Sequence, residues 1–494
     1  MNRADAALRV MTAVSAVMLL YIACVTPIGW IDYYGAFHVI TTLLGAVCML
    51  GLAAGVATLV RFTQVGPIRF AQGRLWSDTS VILAMLALTL VLRGAWVALV
   101  DTTPTSDFLE YHRYATAVAQ GDVRSHGWFF IVFPFKVVYA LILGGIYSVT
   151  TSHSTIAGAV NIIASCGMVV MMYTITRRWY DRAVACAAAL LAAVWPLQIA
   201  FTSVAAQEHI FLVLYLCVVA AMLAIPRTAR VAPIVMRALV VGMCIAVANL
   251  FRPVAVIAFP VLVLYVCAWR WRAVPRRWVY RAVAVGTALC AFVVSTSLFN
   301  VPIESITGIN INKARPGFSI YVGTHAPSHG MWFPESYNLV YRTAYNADTV
   351  HQRSMEAAVQ QITADPMGMV VLAVEKFHYF WASGEYAVMY STREMGQRGV
   401  SPWLAAHHTS ALVASQAMYA VLVALAGLAL WRRRRQISEL DGIVATTFLV
   451  HVACFTILEI QSRYHMVVEL MLLIPAATLL VRRQHSEEAG SSWG

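Results

Sequence analysis

Charge is scarce in this chain of 494 residues, of which 12% are Asp, Glu, Lys or Arg, about half the share usual in soluble domains. That scarcity excludes an ordinary water-soluble globule. Lysine is rarer still: Lys136, Lys313 and Lys376 stand against 32 arginines, a bias to which base composition also contributes. The nine cysteines all fall within or at the edge of apolar runs and form no CxxC pair, so neither a disulfide framework nor a cysteine metal site is implied. There is no P-loop, dinucleotide fingerprint or internal repeat, which disfavours chemistry driven by ATP or a nucleotide sugar. The net charge of +12 comes without any nucleic-acid motif and reads as membrane orientation and anionic-lipid contact, with no nucleic-acid partner.

Apolar residues make up 60% of the chain, in continuous runs without the alternation of barrel strands. The fold class expected is therefore all-α, a polytopic transmembrane helical bundle with about twelve spans plus outer juxtamembrane helices. The spans fall near 10–28, 37–60, 77–99, 155–176, 182–201, 208–225, 236–252, 254–269, 282–300, 409–430, 442–459 and 465–481. The first is too long for a removable signal peptide, lacks a small-residue cleavage site, and reads as an anchor. With the N-terminus in the cytoplasm, the short inner segments carry 22 of the 35 basic residues. They include Arg3, Arg61, Arg69, Arg74, Arg177, Arg178, Arg182, Arg272, Arg482 and Arg483. Both termini are thus expected in the cytoplasm of a multi-pass plasma-membrane protein. Counting Trp128 to Val149 as a span would flip Arg177, Arg178 and Arg182 outside, so this stretch is laid on the outer surface or made re-entrant.

This topology divides the chain into N-terminal transmembrane helices (1–76), a transmembrane core (77–300) with a first outer loop (100–154), a second outer loop (301–408), and C-terminal helices with a cytoplasmic tail (409–494). The second loop is long enough to be folded or functional. It carries Trp332, Tyr337, Tyr341 and Tyr345, and a helical stretch from Val350 to Phe380.

Asp107 and Glu110 lie just beyond a span in a segment with helical spacing, where Asp107, Glu110, Tyr111 and Tyr114 would share one face. The plainer reading makes Ser106 or Asp107 a helix cap. Ionisable residues within spans or at their ends are few: Arg93, Glu208, Arg252, Glu459, Arg463 and Glu469. Each costs about 2.5–3.5 kcal/mol near mid-bilayer on insertion scales and therefore faces protein, a cavity or the interface. Snorkelling or structural pairing explains any one of them alone. The topology puts Glu208, Arg252, Glu459 and Arg463 on the outer side with Asp107, as if lining one cavity. His325 and His329 bracket a proline, which argues against a helical metal-binding pair; no metal ligand is assigned.

An outer acid with several cations suits glycosyl transfer from a lipid phosphate: a carboxylate deprotonates an acceptor hydroxyl while cations stabilise the departing phosphate. The chain resembles the polytopic GT-C glycosyltransferases, in particular the branch of dolichyl-phosphate-mannose protein mannosyltransferases and bacterial aminoarabinose and related polyprenyl-phosphate-sugar transferases. Carrying the resemblance are Ser106-Asp107 followed by Tyr111, Ala115 and Gly121; Phe133-Pro134; Asn161 and Arg177 to Asp181; Trp195-Pro196 before Glu208; Asn249 to Pro253; Gly323 with Trp332; and Glu459 to Tyr464. It covers roughly residues 100–480. It implies Asp107 as general base in an inverting displacement, with Lys136 and Arg463 near the donor phosphate. The adjacent acidic pair of many relatives is missing, since the next acid is Glu110; Phe135-Lys136 replaces a common glycine, and two extra spans precede the usual catalytic start.

The expected activity is transfer of a hexosyl or pentosyl unit from a polyprenyl-phosphate sugar to a hydroxyl of a glycan, lipid or protein of the cell envelope, on the extracytoplasmic face. Asp107 is its catalytic residue, and Glu110, Tyr111, Lys136, Glu208, Arg252, Lys376, Glu459 and Arg463 are its substrate-binding residues. No cofactor is fixed beyond the polyprenyl-phosphate sugar donor, with room left for a divalent cation. Competing readings are a transporter or flippase of lipid-linked glycans, which would favour inverted repeats and midplane charges, and a glycan polymerase or ligase using a lipid-diphosphate donor.

Overall fold

The computed structural model describes residues 3–34, 39–65, 77–270 and 276–481. Arg69, Arg74, Arg272, Arg482 and Arg483, part of the arginine asymmetry, lie outside the described residues, as do the side chains of Arg3 and Arg61. Continuous apolar sequence has produced helices throughout: the protein is an all-α, multi-pass membrane bundle. Among the described residues eight helices are long and apolar enough to cross a bilayer singly, Asp78–Leu99, Ser154–Trp179 and His408–Arg433 included. The other four expected spans are realised as shorter elements. Arg182–Val194 is broken from Pro196–Phe201 at Trp195, and Glu208–Leu223, Ala258–Trp269 and Glu439–Phe455 have 16, 12 and 17 residues. The expected count of twelve full-length spans is thus not met by length alone.

Polar residues close the helix ends as their chemistry requires. Ser77 and Asp181 cap Asp78–Leu99 and Arg182–Val194, and Ser438 with Asp441 forms a capping box on Glu439–Phe455. Arg93, fully buried, caps from the other direction: its guanidinium donates to the carbonyls of Ala193 (2.6 Å) and Ala192 (3.2 Å) at the break before Pro196. A cation at a helix C-terminus is stabilised by the helix dipole, so this intramembrane arginine has a structural partner.

Charge gathers at the two ends of the bundle. Asp78 pairs with Arg182, Arg227 and Arg270 with Glu439, and Arg433 with Asp441. Their helices carry Asp107, Glu208, Arg252 and Arg463 beyond the opposite ends. Several arginines of the basic side are therefore neutralised by acids within the fold.

The stretch 128–149 is two short helices, Gly127–Val132 and Val137–Tyr147, with the 3-10 turn Pro134–Lys136 between them. Neither is long enough to cross a bilayer. Two short strands, unforeseen from the sequence, join the 100–154 and 301–408 segments: β1 (Val100–Thr102) pairs antiparallel with β2 (Met395–Gly399). Thr102 adds bonds to Ser203 (2.6 Å) and the Ser391 carbonyl (2.8 Å), which anchors the chain just ahead of Asp107.

Candidate active site

Asp107 lies in the first turn of the helix Ser106–Ala119, after Ser106 at φ 52°, a left-handed conformation that is costly with a Cβ. It does not act as the cap. Thr105 occupies the N-cap position without a side-chain bond, and the Asp107 carboxylate turns to side chains instead. Its Oδ2 accepts from Lys136 Nζ at 2.9 Å and from Arg463 Nη2 at 2.8 Å.

Lys136 reaches this position because the helix that follows it, Val137–Tyr147, packs directly on Ser106–Ala119. Gly144 permits the approach: a Cβ there would sit 2.5 Å from the Val118 side chain and 2.9 Å from the Ala115 carbonyl. The ammonium lies 4.3 Å from the Phe129 ring centroid and 4.7 Å from that of Phe133, cation–π contacts worth about 0.5–2 kcal/mol each.

Arg463 sits in the 3-10 turn Ser462–His465. Its Nε donates to Gln461 Oε1 (2.8 Å), and Gln461 Nε2 donates to Glu459 Oε1 (2.6 Å). Its Nη1 is 3.9 Å from Glu208 Oε1, which accepts from Arg252 Nη1 at 2.6 Å. Glu208 begins the helix Glu208–Leu223; Asn161 steadies the loop ahead of it by donating to the carbonyls of Thr202 (3.0 Å) and Val204 (2.7 Å). Glu208 Oε2 is buried with no hydrogen-bond partner among the described residues. Tyr111 accepts at its hydroxyl from Gln207 (3.3 Å) and feels the charges of Asp107 and Glu208.

The cluster is held out of water, with 13% of the Asp107 side chain and 8% of the Arg463 side chain exposed. Burial alone would raise the Asp107 pKa, but Lys136 and Arg463 outweigh it and hold the carboxylate well below the usual range. Burial lowers the Lys136 ammonium despite the opposing pull of Asp107, and raises the Glu459 carboxyl despite the bond from Gln461.

Seven of the nine expected site residues thus come together: Asp107, Tyr111, Lys136, Glu208, Arg252, Glu459 and Arg463. Glu110 does not. It sits about 60° round the helix from Asp107, at the edge of that face, and its carboxylate pairs with the exposed Arg113 at 3.0 Å. Lys376 also stands apart. Its Nζ donates to the carbonyls of Gly323 (2.8 Å), Thr456 (3.0 Å) and Leu458 (2.8 Å), which fills its three donors and leaves it strapping the 301–408 segment to the turn that carries Glu459. Gly323 is needed at that junction, since a Cβ would lie 2.1 Å from the Ile457 carbonyl oxygen and 2.6 Å from the Glu459 nitrogen.

Sequence reasoning passed over Gln207, Gln461 and Tyr390. The Tyr390 ring faces Arg463 at 5.3 Å and Phe108 at 5.1 Å. Only the polar spacing of Gln461 between Glu459 and Arg463 offered any signal. His325 and His329 are engaged separately, with Ser328 and Glu375.

A small cavity of about 10 Å³, room for roughly one water, lies beside the charges. It is lined by Glu208, Arg252 and Arg463 together with Phe211, Leu212, Val254, Tyr464, Met466 and Val467. A divalent cation does not fit the donor set. Oδ2 of Asp107 already serves two cations, Glu208 Oε1 serves Arg252, and no group of three His, Cys, Asp or Glu side chains converges among the described residues.

No protein-family model and no curated protein matches the chain. Solved structures similar to it include ArnT from Cupriavidus metallidurans bound to undecaprenyl phosphate, at 15% identity and TM-score 0.35 over 82% of this chain and 78% of that one. The apo state of the same ArnT is similar at 14% identity and TM-score 0.33, over 81% and 77% of the two chains. The Archaeoglobus fulgidus oligosaccharyltransferase, in complex with zinc and sulfate, is similar at 15% identity and TM-score 0.29, covering 77% of this chain and 54% of that one.

Proposed function

We propose that the protein is a membrane glycosyltransferase that moves a sugar from a polyprenyl-phosphate carrier to an acceptor hydroxyl at the extracytoplasmic face, with both chain termini in the cytoplasm. The observation that carries this reading is the meeting of cations with apolar surface: Arg252 and Arg463 line one small cavity with Phe211, Leu212, Val254, Met466 and Val467, the combination that a phosphate joined to a prenyl chain calls for. Asp107 is bound by one of those same cations and by Lys136.

In this mechanism the phosphate takes its share of Lys136, Arg252 and Arg463, and Asp107, released from its partners, accepts the proton of the acceptor hydroxyl. The acceptor oxygen attacks the anomeric carbon from the face opposite the phosphate. The carbon–oxygen bond to phosphate breaks with its electron pair moving to the phosphate oxygen, where the cations stabilise the growing charge. The configuration inverts. Glu208 orients Arg252 and Arg463, and Glu459 acts on Arg463 through Gln461. Charge neutralisation is assigned to these side chains, without a divalent cation.

The acceptor is a hydroxyl of an envelope glycan, lipid or protein. The test is transfer from radiolabelled polyprenyl-phosphate sugar in membranes carrying Asp107→Asn. Loss of a base is expected to lower turnover by about 10²–10⁴-fold, and near-normal turnover in folded protein overturns the assignment.

A further inference from the structure

Next to the Asp107 cluster the second outer segment builds an aromatic shelf. The Tyr337, Tyr341 and Tyr345 rings lie 5.5, 5.9 and 5.6 Å from Trp128, and Trp332 lies 5.5 Å from Tyr337. Despite this packing, Trp332 and Tyr341 remain 42% and 50% exposed. Exposed aromatic area that is held in place marks a binding surface.

Two observations show how it is held and where it leads. Ala344 and Tyr345 both adopt left-handed backbone, at φ 49° and 60°, a conformation that is sterically strained with a Cβ. This strained turn brings Tyr345 nearly parallel to Trp128, at an interplanar angle of 26°. Strain of this kind persists where the surrounding structure fixes a functional surface. The shelf is also continuous with the reacting groups. Tyr337 stacks on Phe318 at 6.0 Å, Phe318 packs on Phe133 at 5.4 Å, and the Phe133 ring faces the Lys136 ammonium that donates to Asp107. The Tyr337 phenol is near enough for the negative charges of Asp107 and Glu459 to add to the effect of burial in raising its pKa.

We propose that this shelf is the acceptor subsite and that its ligand is a carbohydrate, an inference that rests on the glycosyl-transfer reading above. A sugar ring offers a flat C–H face edged with hydroxyls. Rigid Trp and Tyr side chains meet the face at low entropic cost, and phenol groups meet the edge. Glu335, Asn338 and Arg342, all exposed around the shelf, add the hydrogen-bonding groups a sugar uses and the charge that bilayer contact disfavours. An aromatic belt at the membrane interface, the other use of such residues, calls for neither continuity with Asp107 nor a strained turn.

The experiment is saturation-transfer NMR on the full-length protein in nanodiscs, with linear hexaoses of glucose, mannose, galactose and arabinose as probes. At least one is expected to receive saturation. Trp332→Ala with Tyr341→Ala is expected to weaken its binding at least about 10-fold, on the basis of roughly 1 kcal/mol per aromatic contact, while Trp332→Phe with Tyr341→Phe largely restores it. Wild-type protein that binds none of the four, or a double alanine variant that binds as tightly as wild type, overturns the proposal. So does a double variant with unchanged sugar binding that loses thermal stability in nanodiscs but not in detergent, the behaviour of a membrane belt. The two readings fail separately: retained transfer in Asp107→Asn sinks the base assignment, and unchanged sugar binding in the double alanine variant sinks the acceptor shelf.

Discussion

Asp107 and Arg463, 356 residues apart in the chain, meet through an Oδ2–Nη2 contact of 2.8 Å. The carboxylate proposed as base is thus paired with a cation proposed to serve the donor phosphate. In the proposed mechanism phosphate and Asp107 compete for Arg463 and Lys136, which couples donor binding to release of the base.

That competition predicts an opposite pair of effects for Asp107→Asn. Turnover falls, but binding of a polyprenyl phosphate tightens about 10-fold, since each 1.4 kcal/mol of freed cation interaction is a factor of ten. Titration calorimetry in detergent measures it. Weaker binding in the variant would mean that Lys136 and Arg463 do not serve the phosphate.

The pH dependence follows from three buried groups. Asp107 is held below the ordinary carboxylate range, so its ion pairs contribute stability above its unfolded pKa of about 3.9 and lose it only as pH falls through the depressed folded value. It does not set the acid limb of activity. Glu459, raised by burial, takes up its proton first as pH falls, so the acid limb lies above about 4.3. Lys136, lowered by burial, loses its proton first as pH rises, so the alkaline limb lies below about 10.4. Lys136→Arg moves the alkaline limb upward, because a guanidinium stays charged. A profile of kcat/KM against pH for both proteins checks the assignment, and an unmoved alkaline limb would remove Lys136 from it.

Lys376 separates structure from chemistry. Its ammonium spans Gly323, Thr456 and Leu458, and Lys376→Met leaves these carbonyls short of a donor, at a cost of about 2–4 kcal/mol. A lower Tm is expected, with the KM for donor within about threefold of wild type in the remaining folded protein. A large rise in KM at unchanged Tm would instead place Lys376 on the phosphate.

Chelation tests the electrostatics of the site. With Asp107 and Glu208 each paired to cationic side chains, treatment with excess EDTA is expected to leave transfer within about twofold of the untreated rate. Abolished transfer, restored by magnesium or manganese, would show that an ion supplies part of the charge stabilisation.

Much of the cluster was legible in the sequence because charge in an apolar chain is expensive and therefore placed with purpose. The few ionisable residues at the span ends near Asp107 narrowed the search to Glu208, Arg252, Glu459 and Arg463 before any packing was known. Glu110 and Lys376 fell outside the cluster for physical reasons. On a helix a modest angular offset decides whether a side chain faces inward, and a lysine on a helix between spans gives no sign in the sequence of whether its donors meet a substrate or backbone carbonyls. Tyr390 was invisible and Gln461 was marked only by its place between Glu459 and Arg463, since neither carries a charge whose cost demands explanation.

The sequence by itself determined the helical membrane class and the shortage of charge that singles out the cluster, because hydrophobic run length and the cost of burying charge are local properties of the chain. The tertiary structure alone decided that Lys136 and Arg463 share one carboxylate oxygen, that the Gly323 junction seats the Glu459 turn, and that Trp332 and Tyr341 stay open on the shelf. Those arrangements depend on helix crossings and loop closures between distant segments, and a contact such as Asp107 with Arg463 leaves no periodic trace in either segment.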